Sequence, residues 1–377
     1  MYKIMTPGPT QVCENVRMAR SRICTNPDID VEFVEFYKRT CEHISSLLCT
    51  SNEALILDGE GILGLEAACA TLTEPGDKVL VLDNGVYGRG FADFVTMYGG
   101  EPTIYHADYL NTLDVDELAI YLENNHDFKY ATVVHCDTPS GMKNDISRIC
   151  PLLKKYGILT LVDSVSAMFG EEVRVDDYMI DILCGGSQKC VSAPPGLTFV
   201  VISDDARKAF HERKTPVASF YANLNIFDGY YEAKWFPYTM PISDIYGLAQ
   251  AFDNIDADKN MLQRHAAVAN ATRTALIEAG IHLHLQSGFC NTVTVFDVPQ
   301  GLTADQILDG MKAGGIMLAG SFDDLSGKVI RIGHMGANAN IGDMVETLRL
   351  LDKVLRSLGV DLKAKLDTTF INNLELY

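Results

Sequence analysis

The sequence lacks the cysteine and histidine spacings that hold metal ions. It has 10 Cys and 9 His, but no two cysteines stand three positions apart and no HxxxH or HExxH pattern occurs. Such spacings are typical of zinc sites, so we expect no metal site. Scattered cysteines in a chain of this size predict free thiols in a reducing compartment.

Long hydrophobic runs are also missing. No stretch approaches the roughly 18 uncharged apolar residues that a membrane-spanning helix requires. The opening segment, Met1–Pro9, reaches a Pro/Gly turn before the apolar core of an export signal could form. We therefore expect a cytoplasmic protein that does not bind a membrane.

Positive charge is scarce. The chain has 31 Lys and Arg against 50 Asp and Glu, which gives a formal net charge of −19. A surface this acidic repels nucleic-acid phosphates and anionic lipids, so neither is an expected partner. A small anionic substrate would need a local cationic site that works against the overall field.

What the sequence does contain is an alternation of short apolar runs and amphipathic segments. With 377 residues and 47% apolar residues, the chain is long enough for two domains. Helices are predicted at Gly64–Leu72, Val115–Asn124 and Ile146–Tyr156. Strand–helix alternation favours an α/β fold with a mostly parallel sheet. The strands are predicted at Ala54–Leu57, Lys78–Leu82, Ala131–His135, Leu159–Val162, Ile180–Cys184 and Leu197–Ile202.

The pattern changes after about residue 250, which predicts a smaller α+β domain. We place a large domain at 1–253 and the smaller one at 254–377. A capping box at Thr303–Gln306 predicts the start of one helix. The other elements predicted here are a long helix at Ala257–Ala279, strands near His282–Gln286, Thr292–Asp297 and Lys328–Ile332, and a last helix near Asp343–Ser357.

Polar clusters follow five of the predicted strands. Ligands of α/β sheets bind at the carboxyl ends of the strands, so these clusters are expected to form one rim. Lys189 lies there in a Gly-rich turn, where partial desolvation would make its amine a usable nucleophile. Asp163 ends a buried strand and needs a partner. Taken alone, Lys189 could be a surface lysine and Asp163 a helix cap.

These residues carry a resemblance to a known family. Val162–Ser166 and Gly186–Lys189 resemble the class V, fold-type I pyridoxal 5'-phosphate (PLP) aminotransferases, in the branch of alanine–glyoxylate and serine–pyruvate aminotransferases. Lys189 lies 26 positions after Asp163, as in that branch. The similarity runs in order along nearly the whole chain, through Thr6–Pro9, Leu65–Ala68, Asn84–Gly88, Ala193–Gly196, Pro237–Pro241 and Arg331–Gly333.

The resemblance implies a role for each residue that matches. Lys189 would carry PLP as a Schiff base and then shuttle protons, while Asp163 would pair with the pyridine nitrogen. Tyr87 and Val165 would form the two walls of the ring slot, although Tyr87 alone could be a core aromatic. The remaining cofactor contacts that the resemblance implies are Gly61 and Ile62 at the phosphate, Gln188 at the phosphate or ring, and Thr138 at the ring oxygen.

Two further implications concern the substrate and the quaternary structure. Arg331 would grip the substrate α-carboxylate, with a surface strand arginine as the alternative, and Gly8 would line the substrate side. Thr239 would reach the phosphate of a neighbouring subunit, which implies a homodimer with shared active sites. The substrates would be a small amino acid and a 2-oxo acid such as glyoxylate or pyruvate.

Glu60 departs from the family pattern, because many relatives have a small hydroxyl residue there. A carboxylate beside a phosphate is repulsive, so Glu60 would point away or contact the substrate or a cofactor hydroxyl. This leaves a pyridoxamine–pyruvate aminotransferase as an alternative. Others are a 2-aminoethylphosphonate–pyruvate aminotransferase, a PLP lyase or cysteine desulfurase, and a nucleotide-binding protein that would read Gly59–Gly64 as a glycine fingerprint.

Overall fold

The central feature of the fold is a seven-stranded sheet. The computed structural model describes residues 2–375. Their strands are β1 (Lys3–Ile4), β2 (Glu53–Asp58), β3 (Lys78–Asp83), β4 (Glu101–His106), β5 (Tyr130–Val134), β6 (Cys136–Asp137), β7 (Met142–Lys143), β8 (Leu159–Asp163), β9 (Ile182–Gly186), β10 (Leu197–Ile202), β11 (Val293–Asp297), β12 (Ile316–Met317) and β13 (Val329–Gly333). The sheet order is β2-β10-β9-β8-β5-β3-β4. Only β10 of these seven runs against its neighbours, so the predicted α/β fold with a mostly parallel sheet is confirmed.

Helices cover the sheet and complete the second part of the chain. Strands β5 and β10 are buried along their whole length, as expected for strands with both faces covered. None of the helices formed by residues 2–375 is long and apolar enough to cross a membrane. The helices are α1 (Glu14–Ala19), α2 (Val31–Leu47), α3 (Gly61–Leu72), α4 (Val86–Met97), α5 (Val115–Asn124), α6 (Ile146–Lys155), α7 (Asp204–His211), α8 (Tyr230–Ala233), α9 (Ile242–Ala257), α10 (Met261–Glu278), α11 (Ala304–Ala313), α12 (Ile341–Ser357) and α13 (Leu366–Asn372).

One edge of the sheet collects the carboxyl ends of its parallel strands. Asp83 pairs with His106, and Asp163 pairs with both Val134 and Cys184. Because β10 is antiparallel, the turn that precedes it, 193–196, lies at the same edge. The polar clusters after the strands therefore do share one rim, and this rim holds the candidate site.

The last third of the chain forms its own apolar core. Side chains of α10 to α13 pack with β11 and β13, which pair antiparallel. The N-terminal β1 joins this part, because Lys3–Ile4 pairs parallel with Ile316–Met317. The capping box at Thr303 and Gln306 is present at the start of α11, as predicted. The domain boundary at 253/254 stays a prediction and falls inside α9.

The predicted strand at His282–Gln286 is wrong. Only an isolated bridge forms there, between Leu283 and Phe296. The ladder stops because the N–H of Gln286 bonds to the carbonyl of Leu110 instead of to β11. The chain therefore turns away after a single bridge.

Two helical predictions also need correction. The long helix predicted at Ala257–Ala279 begins only at Met261, because residues 258–260 separate α9 from α10. Helix α9 itself, the edge strand β4 and helix α13 were not predicted. Their sequences mix charged and apolar residues without a clear period, so the sheet edge and the second core select their conformation.

Candidate active site

A cavity of about 170 Å³ opens at the carboxyl edge of the sheet, between β8, β9 and the start of α3. Nine of the residues proposed from the sequence meet in its lining, although they are spread over more than a hundred positions of the chain. The lining consists of Glu60, Gly61, Ile62, Leu65, Tyr87, Cys136, Thr138, Asp163, Val165, Ser166, Gln188 and Lys189.

Lys189 lies in the turn after β9, with its amine inside this cavity. Its Nζ donates a hydrogen bond to the carbonyl of Pro7 at 2.8 Å. Burial lowers the pKa of Lys189 to about 8, and the nearby Arg331 lowers it further, while Asp163 opposes the shift. A substantial fraction of the amine is therefore neutral near physiological pH, which is what a nucleophilic lysine requires.

Gly8 brings the N-terminal segment against this lysine. Its φ is +94°, a region that side chains with a Cβ avoid. A Cβ atom at Gly8 would lie 2.4 Å from Lys189 Cδ and 2.7 Å from Nζ. Both the backbone conformation and the space therefore require glycine, and the segment forms one wall beside the amine.

Asp163 ends β8 at the floor of the cavity. One of its carboxylate oxygens accepts a hydrogen bond from the N–H of Val165 at 2.9 Å. Burial raises the pKa of Asp163 to about 6, while the Val165 bond and the charge of Lys189 act in the other direction. The carboxylate is thus desolvated and only partly satisfied, and a protonated ring nitrogen would complete its bonding.

Tyr87 and Val165 provide facing walls for a flat ring. The N–H of Tyr87 donates to Asp137 at 3.1 Å, which fixes the start of α4. On the other side, a Cβ at Gly61 would lie 2.8 Å from Val165 Cγ1, so a glycine lets α3 approach the Val165 side chain. The slot is therefore narrow and lined by an aromatic and an aliphatic group.

Glu60 occupies the N-terminus of α3. Its Oε1 accepts from the N–H of Ile62 at 3.2 Å, and its Oε2 accepts from Gln188 Nε2 at 2.9 Å. Helix N-termini bind anions, and here the anion is supplied by the chain itself. Glu60 therefore points toward this place rather than away from it, and it takes the N–H group expected to meet a cofactor phosphate.

Arg331 extends from β13 toward the same cavity. Its Nε donates to the carbonyl of Gly320 at 2.6 Å and its NH1 to the carbonyl of Thr138 at 3.3 Å. In the described part of the chain, both of its hydrogen bonds go to carbonyls rather than to a carboxylate. The guanidinium is thus positioned and keeps donors for an added carboxylate.

Thr239 is not part of this cavity. Its hydroxyl is exposed and lies 3.4 Å from an oxygen of Asp28. A single chain therefore does not bring Thr239 to its own Lys189, and the contact with a neighbouring subunit stays a prediction.

Sequence reasoning missed Asp137. This buried carboxylate accepts from Tyr87 N–H and from the Ser140 hydroxyl at 2.6 Å. Burial raises the pKa of Asp137, and these hydrogen bonds oppose that rise. It positions the Tyr87 wall, and its place in the polar cluster after β5 was the available signal.

The fold and the cavity define the class of protein: a fold-type I enzyme that holds a ring cofactor on a lysine at the carboxyl edge of its sheet. The family model described as aminotransferase class-V matches residues 17–317. The chain therefore belongs to the class V aminotransferases and is an aminotransferase.

Similar proteins support this assignment. An uncharacterized aminotransferase of Methanocaldococcus jannaschii is 32% identical, covering 96% of this chain and 94% of that protein. The pyridoxamine–pyruvate transaminase of Mesorhizobium japonicum is 31% identical over 94% of this chain and 92% of its own length. The crystal structure of ureidoglycine–glyoxylate aminotransferase from Bacillus subtilis has a TM-score of 0.95 at 26% identity, covering 99% of this chain and 98% of that one.

Proposed function

We propose that the chain moves an amino group between a small amino acid and a 2-oxo acid such as pyruvate or glyoxylate, on a pyridoxal-type ring attached to Lys189. The observation that carries the proposal is the pairing of a lysine, whose pKa is lowered to about 8, with the buried Asp163 across one cavity. The names of the similar proteins, which act with pyruvate or glyoxylate, agree with this choice of acceptor.

Each residue has a definite task in this reaction. When bound, a pyridoxal ring withdraws electrons from the substrate bond that is broken. Asp163 would keep a proton on the ring nitrogen, and Tyr87 would hold the ring flat against Val165. Lys189 would move the proton at the substrate Cα, and Arg331 would bind the carboxylate.

The test is a panel of amino acids and 2-oxo acids supplied to the protein loaded with the ring. We expect turnover with at least one small amino acid together with pyruvate or glyoxylate, and none with Lys189→Ala. The control is Lys208→Ala, which removes an exposed lysine of α7. Turnover that survives in Lys189→Ala would contradict the proposal.

The residues present suit the ring of PLP better than its phosphate. Glu60 already fills the anion position at the start of α3 and is bonded to Gln188. A phosphate could enter only if this carboxylate left, and the two charges would otherwise repel. This favours a second candidate function, in which an unphosphorylated vitamer, pyridoxamine, is the amino donor.

A direct binding comparison separates the two candidates. Calorimetric titration with pyridoxal and with PLP should show tighter binding of pyridoxal if Glu60 stays at the helix terminus. The second candidate also requires that pyridoxamine and pyruvate be converted without added PLP. Tight PLP binding and no conversion of pyridoxamine would leave the amino acid reaction as the function.

The proposal includes a homodimer with shared active sites, in which Thr239 serves the neighbouring cavity. The exposed position of Thr239, away from its own Lys189, is compatible with this role. Mixing Lys189→Ala with Thr239→Val subunits should then restore one complete site per mixed dimer. If Thr239→Val alone is fully active, Thr239 has no such role.

A further inference from the structure

We propose that Phe322 sets the size and charge of the substrate side chain that this aminotransferase accepts. The inference rests on the proposed function, because it concerns the amino acid or oxo acid held at Arg331. The ring of Phe322 lies 5.7 Å from the Arg331 guanidinium carbon and 5.9 Å from the Tyr87 ring, at an interplanar angle of 71°. It thus stands beside both the carboxylate grip and the ring slot.

The room available explains why this position matters. The cavity beside Lys189 measures about 170 Å³, and a pyridoxal ring would take much of it. A substrate held by Arg331 carries its side chain only two bonds away from its carboxylate. That side chain must therefore pass near Phe322, whose surface is still 40% exposed and can be covered by an apolar substituent.

The segment that carries Phe322 is held in place from both sides. The hydroxyl of Ser321 donates to the carbonyl of Pro139 at 3.2 Å. Asp323 has a φ of +52°, a strained conformation for a residue other than glycine. Arg89 of α4 pairs with Asp323 at 2.7 Å and with Asp324 at 3.6 Å. These contacts over-determine the strained backbone and aim the phenyl ring at the mouth of the cavity.

The charges around this mouth disfavour an acidic side chain. Asp137 and Asp163 influence the charges of Arg331 and Lys189 inside the site, and Glu60 adds to the negative potential. The nearest additional cation on this segment, Arg89, is already paired with two carboxylates. A dicarboxylic donor would therefore have one carboxylate on Arg331 and the other against an apolar ring and a negative field.

The wall made by Phe322 should thus accept small neutral side chains, resist bulky ones and reject acidic ones. Removing the ring in Phe322→Ala should raise kcat/KM for phenylalanine relative to alanine by about tenfold or more, the range expected for size discrimination in an apolar pocket. Arg89→Gln should act in the same direction but only a few-fold, because its ion pairs are exposed.

The experiment measures kcat/KM for alanine, phenylalanine and aspartate, and, by calorimetry, the dissociation constants of pyruvate and phenylpyruvate for the ring-loaded protein. Ile120→Ala is the control, since it removes an apolar side chain that is 67% exposed on α5. We expect Phe322→Ala alone to shift both ratios by about tenfold, with alanine turnover retained.

Two results would overturn the inference and are distinct from failure of the proposed function. Wild-type protein that favours aspartate over alanine would contradict the charge argument. Ratios unchanged in Phe322→Ala, while alanine is still turned over, would contradict the size argument and leave the aminotransferase function intact. If no amino acid is turned over and neither oxo acid binds, the proposed function falls, and this inference falls with it.

Discussion

Glu60 and Gln188 are joined by a hydrogen bond of 2.9 Å between Oε2 and Nε2, which links the start of α3 to the residue next to Lys189. The same carboxylate caps the helix through the N–H of Ile62. An anion supplied by the chain thus lies where a helix N-terminus would otherwise bind an external one. The contact turns the choice between phosphorylated and unphosphorylated vitamers into a question about one side chain.

Glu60→Thr is expected to favour PLP over pyridoxal. Threonine still caps α3, but it removes the negative charge and frees space at the helix terminus. Repulsion between close charges is worth more than about 1.4 kcal/mol unless it is strongly screened, so the ratio of dissociation constants should shift by at least tenfold. Glu123→Thr on α5 is the control. An unchanged ratio would mean that Glu60 moves aside freely.

Gly8→Ala should impair the use of Lys189 more than it impairs folding. At φ +94° an alanine costs about 1–2 kcal/mol, and its Cβ would also press on the Lys189 side chain. Gly76→Ala is a matched control, because Gly76 has a φ of +85° with nothing within 4 Å of a Cβ. Both variants should lose similar thermal stability, but only Gly8→Ala should lose ring loading, followed by visible absorbance.

Arg331→Lys should weaken carboxylate substrates without preventing attachment of the ring. Lysine keeps the charge but not the planar pair of donors, and the loss of one charge-assisted hydrogen bond is worth about 1.5–3 kcal/mol. We expect kcat/KM for the preferred amino acid and oxo acid to fall at least tenfold. Arg148→Lys, at an exposed arginine of α6, is the control. Equal loss of ring loading would show a general disruption instead.

The residues at strand ends could be predicted from the sequence, whereas contacts between distant segments could not. Asp163 and Lys189 follow apolar strands, and the edge at which parallel strands end brought them together. The bond from Gln188 to Glu60 joins residues 128 positions apart, and it depends on how β9 packs beside α3. Phe322 carried no pattern of its own, because its position depends on Arg89 pairing with Asp323 across the cavity mouth.

The last prediction concerns the pH dependence of Lys189. With its pKa lowered to about 8, the neutral amine appears as pH rises through about 8 rather than above 10. The rate of ring attachment, measured by stopped-flow absorbance after mixing with pyridoxal, should rise with a midpoint near that value.

Two substitutions should move this midpoint in opposite directions. Arg331 holds the pKa of Lys189 down, so Arg331→Gln should move the midpoint to higher pH. Asp163 holds the pKa up, so Asp163→Asn should move it to lower pH. Arg148→Gln, which removes an exposed cation of α6, should leave it unchanged. A wild-type midpoint near that of a free lysine, or shifts of the same sign in both variants, would mean that the two charges do not act on Lys189 as the geometry indicates.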